Sequence, residues 1–365
     1  MLLNELTPRV FVAATRQNDG KTTTSLGLLA ALQKRFGRVG YIKPVGQRFV
    51  EIDDQKIDED SVLMDRVFRL NCPLVDMSPI AVEPDFTRKY LQGGSLDFLI
   101  KRIHKGFDRV AWEKDFVLCE GTGHAGVGSV FDLSNATVAK LLGAKVIIVT
   151  RGGIGLPIDE VTLNHALFER EGVEVIGVIV NKVLPEKMEY ITDFARRGFK
   201  RKGLELLGVV PHQPILSKPT LQAICDELKA DVLGGQAQCN NVVQHVVIGA
   251  MGAANVAKRL KMGTLLITPA DREDVLEAAG TFARNPNSPL AGLILSDGIR
   301  PSAATARQLR SLPCPVLVAA KDSYGVAAAV QNVTVKTGPD DTQKIGLIQQ
   351  IIADHVNLDR ILAKL

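Results

Sequence analysis

An apolar run, Val10-Phe11-Val12, leads through Ala13-Ala14-Thr15-Arg16-Gln17-Asn18-Asp19-Gly20-Lys21-Thr22-Thr23 into a helix-like segment from Ser25 to Leu32. A loop between a buried strand and a helix N-terminus gathers backbone N–H groups that point at one spot, and the helix dipole adds partial positive charge there. Such a place suits polyphosphate. Lys21 would reach the outer phosphates and the Thr22 hydroxyl would meet Mg²⁺. Thr15, Asp19, Gly20, Lys21, Thr22 and Thr23 are therefore the candidate nucleotide contacts. The strict pattern G-x-x-x-x-G-K-[ST] asks for glycine where this chain has Thr15. The alternative is a Gly-Lys-Thr helix start without a ligand.

The rest of the chain continues the alternation that this segment begins. Strands are expected at 9–14, 38–42, 115–120, 145–150, 174–181 and 207–211, with helical spacing between most of them. Near-continuous runs such as Val146-Ile147-Ile148-Val149 fit strands buried on both faces. The expected fold class is α/β: a parallel P-loop sheet sandwiched by helices, followed by a smaller α/β domain. The rhythm breaks over about 219–243, at Gly234-Gly235 and Asn240-Asn241, and resumes with strands at 244–248, 263–268, 291–295 and 315–319. We expect a first domain over 1–222, a linker over 223–243, and a second domain over 244–365 that includes a C-terminal helix from Thr342 to about His355.

At 365 residues and 46% hydrophobic content the chain is globular and long enough for two domains. It has no basic start followed by an apolar core, and no apolar run of about 18 residues. The expectation is a soluble cytoplasmic protein without membrane partners. The five cysteines form no C-x-x-C pair and read as reduced thiols. A net charge of +4 gives no argument for nucleic acid. The one dense basic run, Arg196 to Lys202, reads as a solvated helix face or as a phosphate-contacting patch.

Further polar residues stand where strands end, which is where open α/β sheets place their ligand crevice. Lys43 follows Val39-Gly40-Tyr41-Ile42 and would add a second cation beside Lys21, suited to an anionic substrate, unless it is only a surface lysine capping the strand. Glu120 ends the strand Asp115-Phe116-Val117-Leu118-Cys119, as an acid contacting Mg²⁺ does in P-loop enzymes. Gly121-Thr122-Gly123-His124-Ala125-Gly126 satisfies G-x-G-x-x-G, but the following residues show no helical face, so a dinucleotide fingerprint is disfavoured. Gly121, Gly123 and His124 are candidate substrate-side residues, with a loop histidine of no role as the alternative. Asp60 either favours a helix dipole or is a third metal contact. Asn181, at the end of Gly177-Val178-Ile179-Val180, offers an amide for an adenine edge.

Together these motifs resemble the dethiobiotin synthetase-like P-loop family, which includes the synthetase domains of cobyrinic acid a,c-diamide synthases. They resemble most the N-terminal half of long bacterial phosphotransacetylases, where such a domain precedes a DRTGG domain. The residues are Ala13-Ala14-Thr15 with Gly20-Lys21-Thr22-Thr23, Lys43-Pro44-Val45, Asp60, Glu120-Gly121 and Val180-Asn181-Lys182, then Val247-Ile248-Gly249-Ala250-Met251, Pro269-Ala270-Asp271-Arg272 and Ser296-Asp297-Gly298. The resemblance implies that Lys21 holds phosphate, that Thr22, Asp60 and Glu120 surround Mg²⁺, that Lys43 is a substrate-side cation, and that Asn181 reads adenine. It also implies ATP as ligand and a homodimer. Ala14 replaces the family's usual opening glycine. Gln47 replaces a substrate serine of dethiobiotin synthetases, and Asp271-Arg272-Glu273-Asp274 keeps only two letters of the DRTGG name. None of Cys225, Cys239 and Cys314 sits in a glutaminase-type elbow, and no transacetylase catalytic domain is expected within residues 1–365.

Two functions follow from the resemblance. One is a nucleotide-sensing regulatory protein with slow ATP hydrolysis, in which Asp271, Arg272, Asp297 and Gly298 lie near an effector in the second domain. The other is an ATP-dependent ligase that activates a small carboxylate and has no glutaminase domain, in which Lys21, Lys43 and Mg²⁺ neutralise charge on a transferred phosphoryl group. The architecture and the missing serine favour the first reading. The full set of metal-type residues favours the second.

Overall fold

The computed structural model describes residues 4–286, 289–333, 335 and 337–365. Two compact units emerge, one of Met1–Gln213 with Thr337–Leu365 and one of Pro214–Lys336.

The first unit is built on six strands: β1 (Arg9–Ala14), β2 (Val39–Ile42), β3 (Phe116–Glu120), β4 (Lys145–Arg151), β5 (Val175–Val183) and β6 (Leu206–Pro211). They lie in the order β6-β5-β4-β1-β3-β2, and every pairing is parallel. Their Val, Ile, Leu and Phe side chains are buried on both faces, as all-parallel sheets require. The chain steps outward from β1 to β2, returns through β3, and then crosses to the other side of β1. The order therefore reverses at β1, the place where such sheets open a ligand crevice. Register brings the strand ends level: Val12 pairs with Glu120, Ile42 with Cys119, and Arg151 with Asn181. The expected strand positions agree with the structure to within a residue or two.

A hairpin was not anticipated. Phe49–Ile52 pairs antiparallel with Gln55–Asp58 across Asp53 and Asp54, both at positive φ (49° and 59°). Positive φ at both central residues gives the turn a twist that matches the strands. The hairpin returns the chain to Lys43, and Asp58 then caps the helix Glu59–Phe68 by accepting from the Asp60 N–H at 2.9 Å.

The C-terminal helix corrects the expected boundary. Thr342–His355 packs on the helix Lys21–Phe36, so Thr337–Leu365 belongs with the first unit and not the second. A Cβ on Gly27 would collide with Ile352, which shows how closely the two helices approach. Asn357 N–H donates to the Leu207 carbonyl at 3.0 Å, and Gly208 bridges to Val356.

The second unit holds a five-stranded sheet in which β7 (Asp231–Gly234) pairs antiparallel with β11 (Val316–Val318). The remaining strands, β8 (His245–Ile248), β9 (Thr264–Pro269) and β10 (Gly292–Ser296), run parallel to β11. One face is covered by the helices Ala253–Ala257, Glu273–Ala283 and Ala303–Arg310, and the other by Leu221–Leu228 and Ser323–Asn332. The stretch expected as a linker, 223–243, thus contributes most of a helix and an edge strand to this unit. Its glycines conceal the strand: Gly234 and Gly235 approach Arg310 and Cys314 too closely for a side chain. Among the described residues no helix is long and apolar enough to cross a membrane.

Candidate functional site

The loop after β1 turns at Gly20, whose φ of 103° lies in the region that only glycine adopts freely. It opens the helix Lys21–Phe36, so Lys21, Thr22 and Thr23 form the first turn. Lys21 is buried, and its ammonium donates to the Gly123 carbonyl at 3.0 Å. Burial lowers its pKa to about 8, although Glu120 opposes the shift. The Thr22 hydroxyl donates to Glu120 Oε1 at 2.9 Å, and the Tyr41 hydroxyl donates to Oε2 at 3.0 Å. Glu120 is fully enclosed (0% exposed). Burial, with nearby Asp60 adding to it, pushes its carboxyl above the usual range against the pull of Lys43.

Lys43 leaves β2 beside Glu120 and is clamped by two acids, Asp60 and Asp58, the latter at 3.1 Å. Burial alone would lower its pKa, but Asp60, Asp58 and Glu120 outweigh it and the lysine stays charged. Asp58, which the sequence reading passed over, is fully buried and shifted upward by burial despite Lys43. Two lysines and three carboxylates thus share one end of the sheet, a formal charge of −1.

The loop after β3 lies against this cluster. The Thr122 hydroxyl donates to the Val45 carbonyl, and the Asn135 amide holds both the N–H and the carbonyl of Thr122 at 2.9 and 2.6 Å. Gly123 has a φ of 65°. His124 Nδ1 accepts from the Gly126 N–H at 3.2 Å, and no helix opens before Asn135 beyond a single turn of 3₁₀ helix at Ser129–Phe131. The glycine pattern here is a loop, as its lack of a helical face implied.

Two expected nucleotide contacts face inward. Asp19 accepts from the Thr15 hydroxyl at 2.8 Å and from Arg151 Nε at 3.0 Å. Asn181 donates to the Asp19 carbonyl at 3.0 Å and accepts from the Lys182 N–H at 2.8 Å, so one end of its amide braces the loop and the other is held by its own backbone neighbour. Lys182 Nζ donates to the Asn18 carbonyl at 2.7 Å. Arg151 and Asn135 were not singled out, and Lys182 only as the neighbour of Asn181 in its motif, because nothing in a single strand end or helix start distinguishes them.

The residues Thr22, Asp60 and Glu120 offer only oxygen donors, which fits a hard cation such as Mg²⁺. Among the described residues no group of three His, Cys, Asp or Glu side chains is disposed to hold a metal alone. Mg²⁺ ordinarily takes one or two carboxylates and completes its shell with phosphate and water.

In the second unit, Asp271 and Arg272 follow β9, and Asp297 and Gly298 follow its parallel neighbour β10, so all four lie beyond adjacent strand ends. Arg272 donates to the carbonyls of Gly249 (3.1 Å) and Met251 (2.9 Å) and to the Asp274 carboxylate. Asp297 accepts from the Ser296 hydroxyl at 2.8 Å, and Asp297 and Gly298 have φ of 65° and 66°. Their N–H groups donate to the carbonyls of Lys321 and Ala319, both at 2.8 Å, which ties this segment to the chain that follows β11.

A family described as an AAA domain matches residues 8–220, and one described as a DRTGG domain matches 223–333. The chain is 30% identical over 366 residues to a phosphate acetyltransferase of Pseudomonas aeruginosa, a match that covers 96% of this chain and 51% of that one. It is 28% identical over 351 residues to the phosphate acetyltransferase of Synechocystis sp., covering 93% and 49%. The chain spans about half the length of these curated relatives, their N-terminal half. Among solved structures, MinD of Pyrococcus horikoshii complexed with Mg-ADP overlays with a TM-score of 0.35 at 17% identity, over 58% of this chain and 84% of that chain. The CBS and DRTGG domains of a Clostridium perfringens pyrophosphatase, complexed with diadenosine tetraphosphate, overlay with a TM-score of 0.28 at 14% identity, over 48% and 86%. By sequence, the chain belongs to the AAA-domain family, through a P-loop domain that is followed by a DRTGG domain.

Proposed function

We propose that the first unit binds ATP with Mg²⁺ and that the protein is a nucleotide-sensing regulator, hydrolysing ATP slowly if at all. The observation that carries this reading is the convergence of Lys21, Thr22, Glu120, Asp60 and Lys43 where the strand order reverses around a helix N-terminus. Backbone N–H groups of the loop and Lys21 would take the phosphates. Thr22, Asp60 and Glu120 would hold Mg²⁺, which supplies positive charge against the phosphate oxygens. Tyr41 keeps Glu120 oriented, and Asn181 with Arg151 keeps the loop in shape.

A ligase that activates a small carboxylate is the second reading, favoured by the presence of Lys43 in the cluster. Its partners weigh against it. Lys43 is neutralised by Asp58 and Asp60, so its surroundings offer an anionic substrate no net attraction. The kinship with the N-terminal half of phosphate acetyltransferases supports the regulatory reading, with the DRTGG unit taking an effector near Asp271, Arg272, Asp297 and Gly298. We carry over a homodimer as the assembly.

Calorimetric titration with ATP and AMP, with and without Mg²⁺, alongside phosphate release, tests the proposal. Tight Mg²⁺-dependent ATP binding with negligible release is expected. Release stimulated by one member of a carboxylate panel would replace the regulator with the ligase. No ATP binding at all would remove both readings.

A further inference from the structure

The helix Gly155–Arg170 carries Asn164 on its buried face. The Asn164 amide nitrogen donates to the Glu160 carbonyl one turn back at 2.8 Å and to the Thr15 carbonyl at 3.4 Å. Its oxygen accepts from the Ala125 N–H at 2.8 Å. A side-chain amide holds two donor hydrogens and one acceptor oxygen, and here all three are engaged. One side chain therefore joins the first residue of the phosphate loop to the far end of the 121–125 loop.

Asn135 does the complementary task inside that loop. It sits in the first turn of the helix Asn135–Leu141, fixed by the Ser134 cap, and its amide grips Thr122 N–H, Thr122 O and His124 O. Glycine at 121 is needed for this approach, because a Cβ there would lie 2.7 Å from the Asn135 oxygen. The 121–125 loop is thus stiffened by Asn135, tied to Thr15 by Asn164, and tied to Lys21 through the Gly123 carbonyl.

We propose that Asn164 is a positioning residue that makes the 121–125 loop follow the phosphate loop. This rests on the nucleotide-binding reading above. Nucleotide that settles the phosphate loop fixes the Thr15 carbonyl, and the Asn164 bonds carry that order to the Ala125 N–H even as Lys21 turns from Gly123 towards phosphate. Occupancy of the phosphate loop is transmitted to the loop that carries Gly123 and His124, next to Glu120. An asparagine that merely filled the helix interface would leave the two loops independent.

The test is hydrogen exchange of residues 121–127 in the full chain, with and without Mg-ATP, for the natural protein, Asn164→Leu and the milder Asn164→Ser. Nucleotide should slow exchange there in the natural protein by about threefold to tenfold, the equivalent of one buried hydrogen bond. Both variants should still bind ATP, and the slowing should vanish. Equal slowing in natural protein and variants would overturn the proposal. If the natural protein binds no ATP, the nucleotide reading fails by itself. The tether is then judged without ligand: exchange at 121–127 must quicken in Asn164→Ser while β1 stays protected, and unchanged exchange would refute it.

Discussion

The side-chain amide of Asn181 fills the space that a Cβ on residue 20 would need. Gly20 is therefore required twice, for its φ of 103° and for this contact. Gly20→Ala should cost about 1–3 kcal/mol from backbone strain alone, more from the collision, and should weaken ATP binding. Adding Asn181→Ala should recover part of the melting temperature and leave the strain. Thermal unfolding of the single and double variants checks this, and a natural melting temperature for Gly20→Ala would contradict it.

Lys21 should couple nucleotide binding to protons. Burial lowers its pKa from 10.5 to about 8, so the free folded protein loses this charge as pH rises through 8, while the unfolded chain keeps it until about 10.5. The unfolded state holds more protons in that window, so Lys21 penalises folding fully below pH 8 and less as pH rises towards 10.5. A polyphosphate favours the charged form and must reload the proton. Binding above pH 8 should take up a proton and weaken by up to about tenfold per pH unit. Calorimetry in buffers of different ionisation enthalpy measures the uptake. Lys21→Ala should nearly abolish binding, and unchanged affinity would end the P-loop assignment.

Glu120→Gln keeps the size of the side chain but can accept from only one of the Thr22 and Tyr41 hydroxyls, and it removes a charge from the Mg²⁺ donors. ATP should still bind, but the gain in affinity that Mg²⁺ brings to the natural protein should largely disappear in calorimetric titration. An unchanged Mg²⁺ dependence would remove Glu120 from the metal shell.

Ile352 is buried against the helix Lys21–Phe36 near Gly27. Ile352→Ala should destabilise the first unit by about 2–5 kcal/mol, read as a lowered melting temperature of the full chain. Truncation after residue 230, which a simple two-domain division would tolerate, should give an unstable product. A stable, ATP-binding 1–230 fragment would show that the C-terminal helix is dispensable.

The strands were legible because a sheet buried on both faces writes continuous Val/Ile/Leu runs, as in Val146 to Val149, and the phosphate loop because Gly20-Lys21-Thr22 sits between a strand and a helix. Lys43, Asp60 and Glu120 stand at strand and helix ends, and the structure brings the three side chains together. What escaped were the long-range engagements. Asp58 looks like an ordinary helix cap until the Asp53-Asp54 hairpin folds it onto Lys43. Asn181 looks like a free amide until its bonds to the phosphate loop and the Lys182 backbone are drawn. The helix Thr342–His355 is periodic and apolar wherever it docks, and periodicity names no partner. The strand Asp231–Gly234 is short and glycine-terminated, which reads as a break.

The docking of the C-terminal helix also sets a timetable. Domains made on the ribosome ordinarily fold in the order in which they emerge. Here residues 214–336 are complete before the helix that covers Gly27 has been translated. The unit that begins later in the message can therefore be finished first, while the phosphate-loop unit waits with one side of its first helix bare. A translation pause after residue 336 would prolong that wait, with the apolar surface of the Lys21–Phe36 helix around Gly27 uncovered.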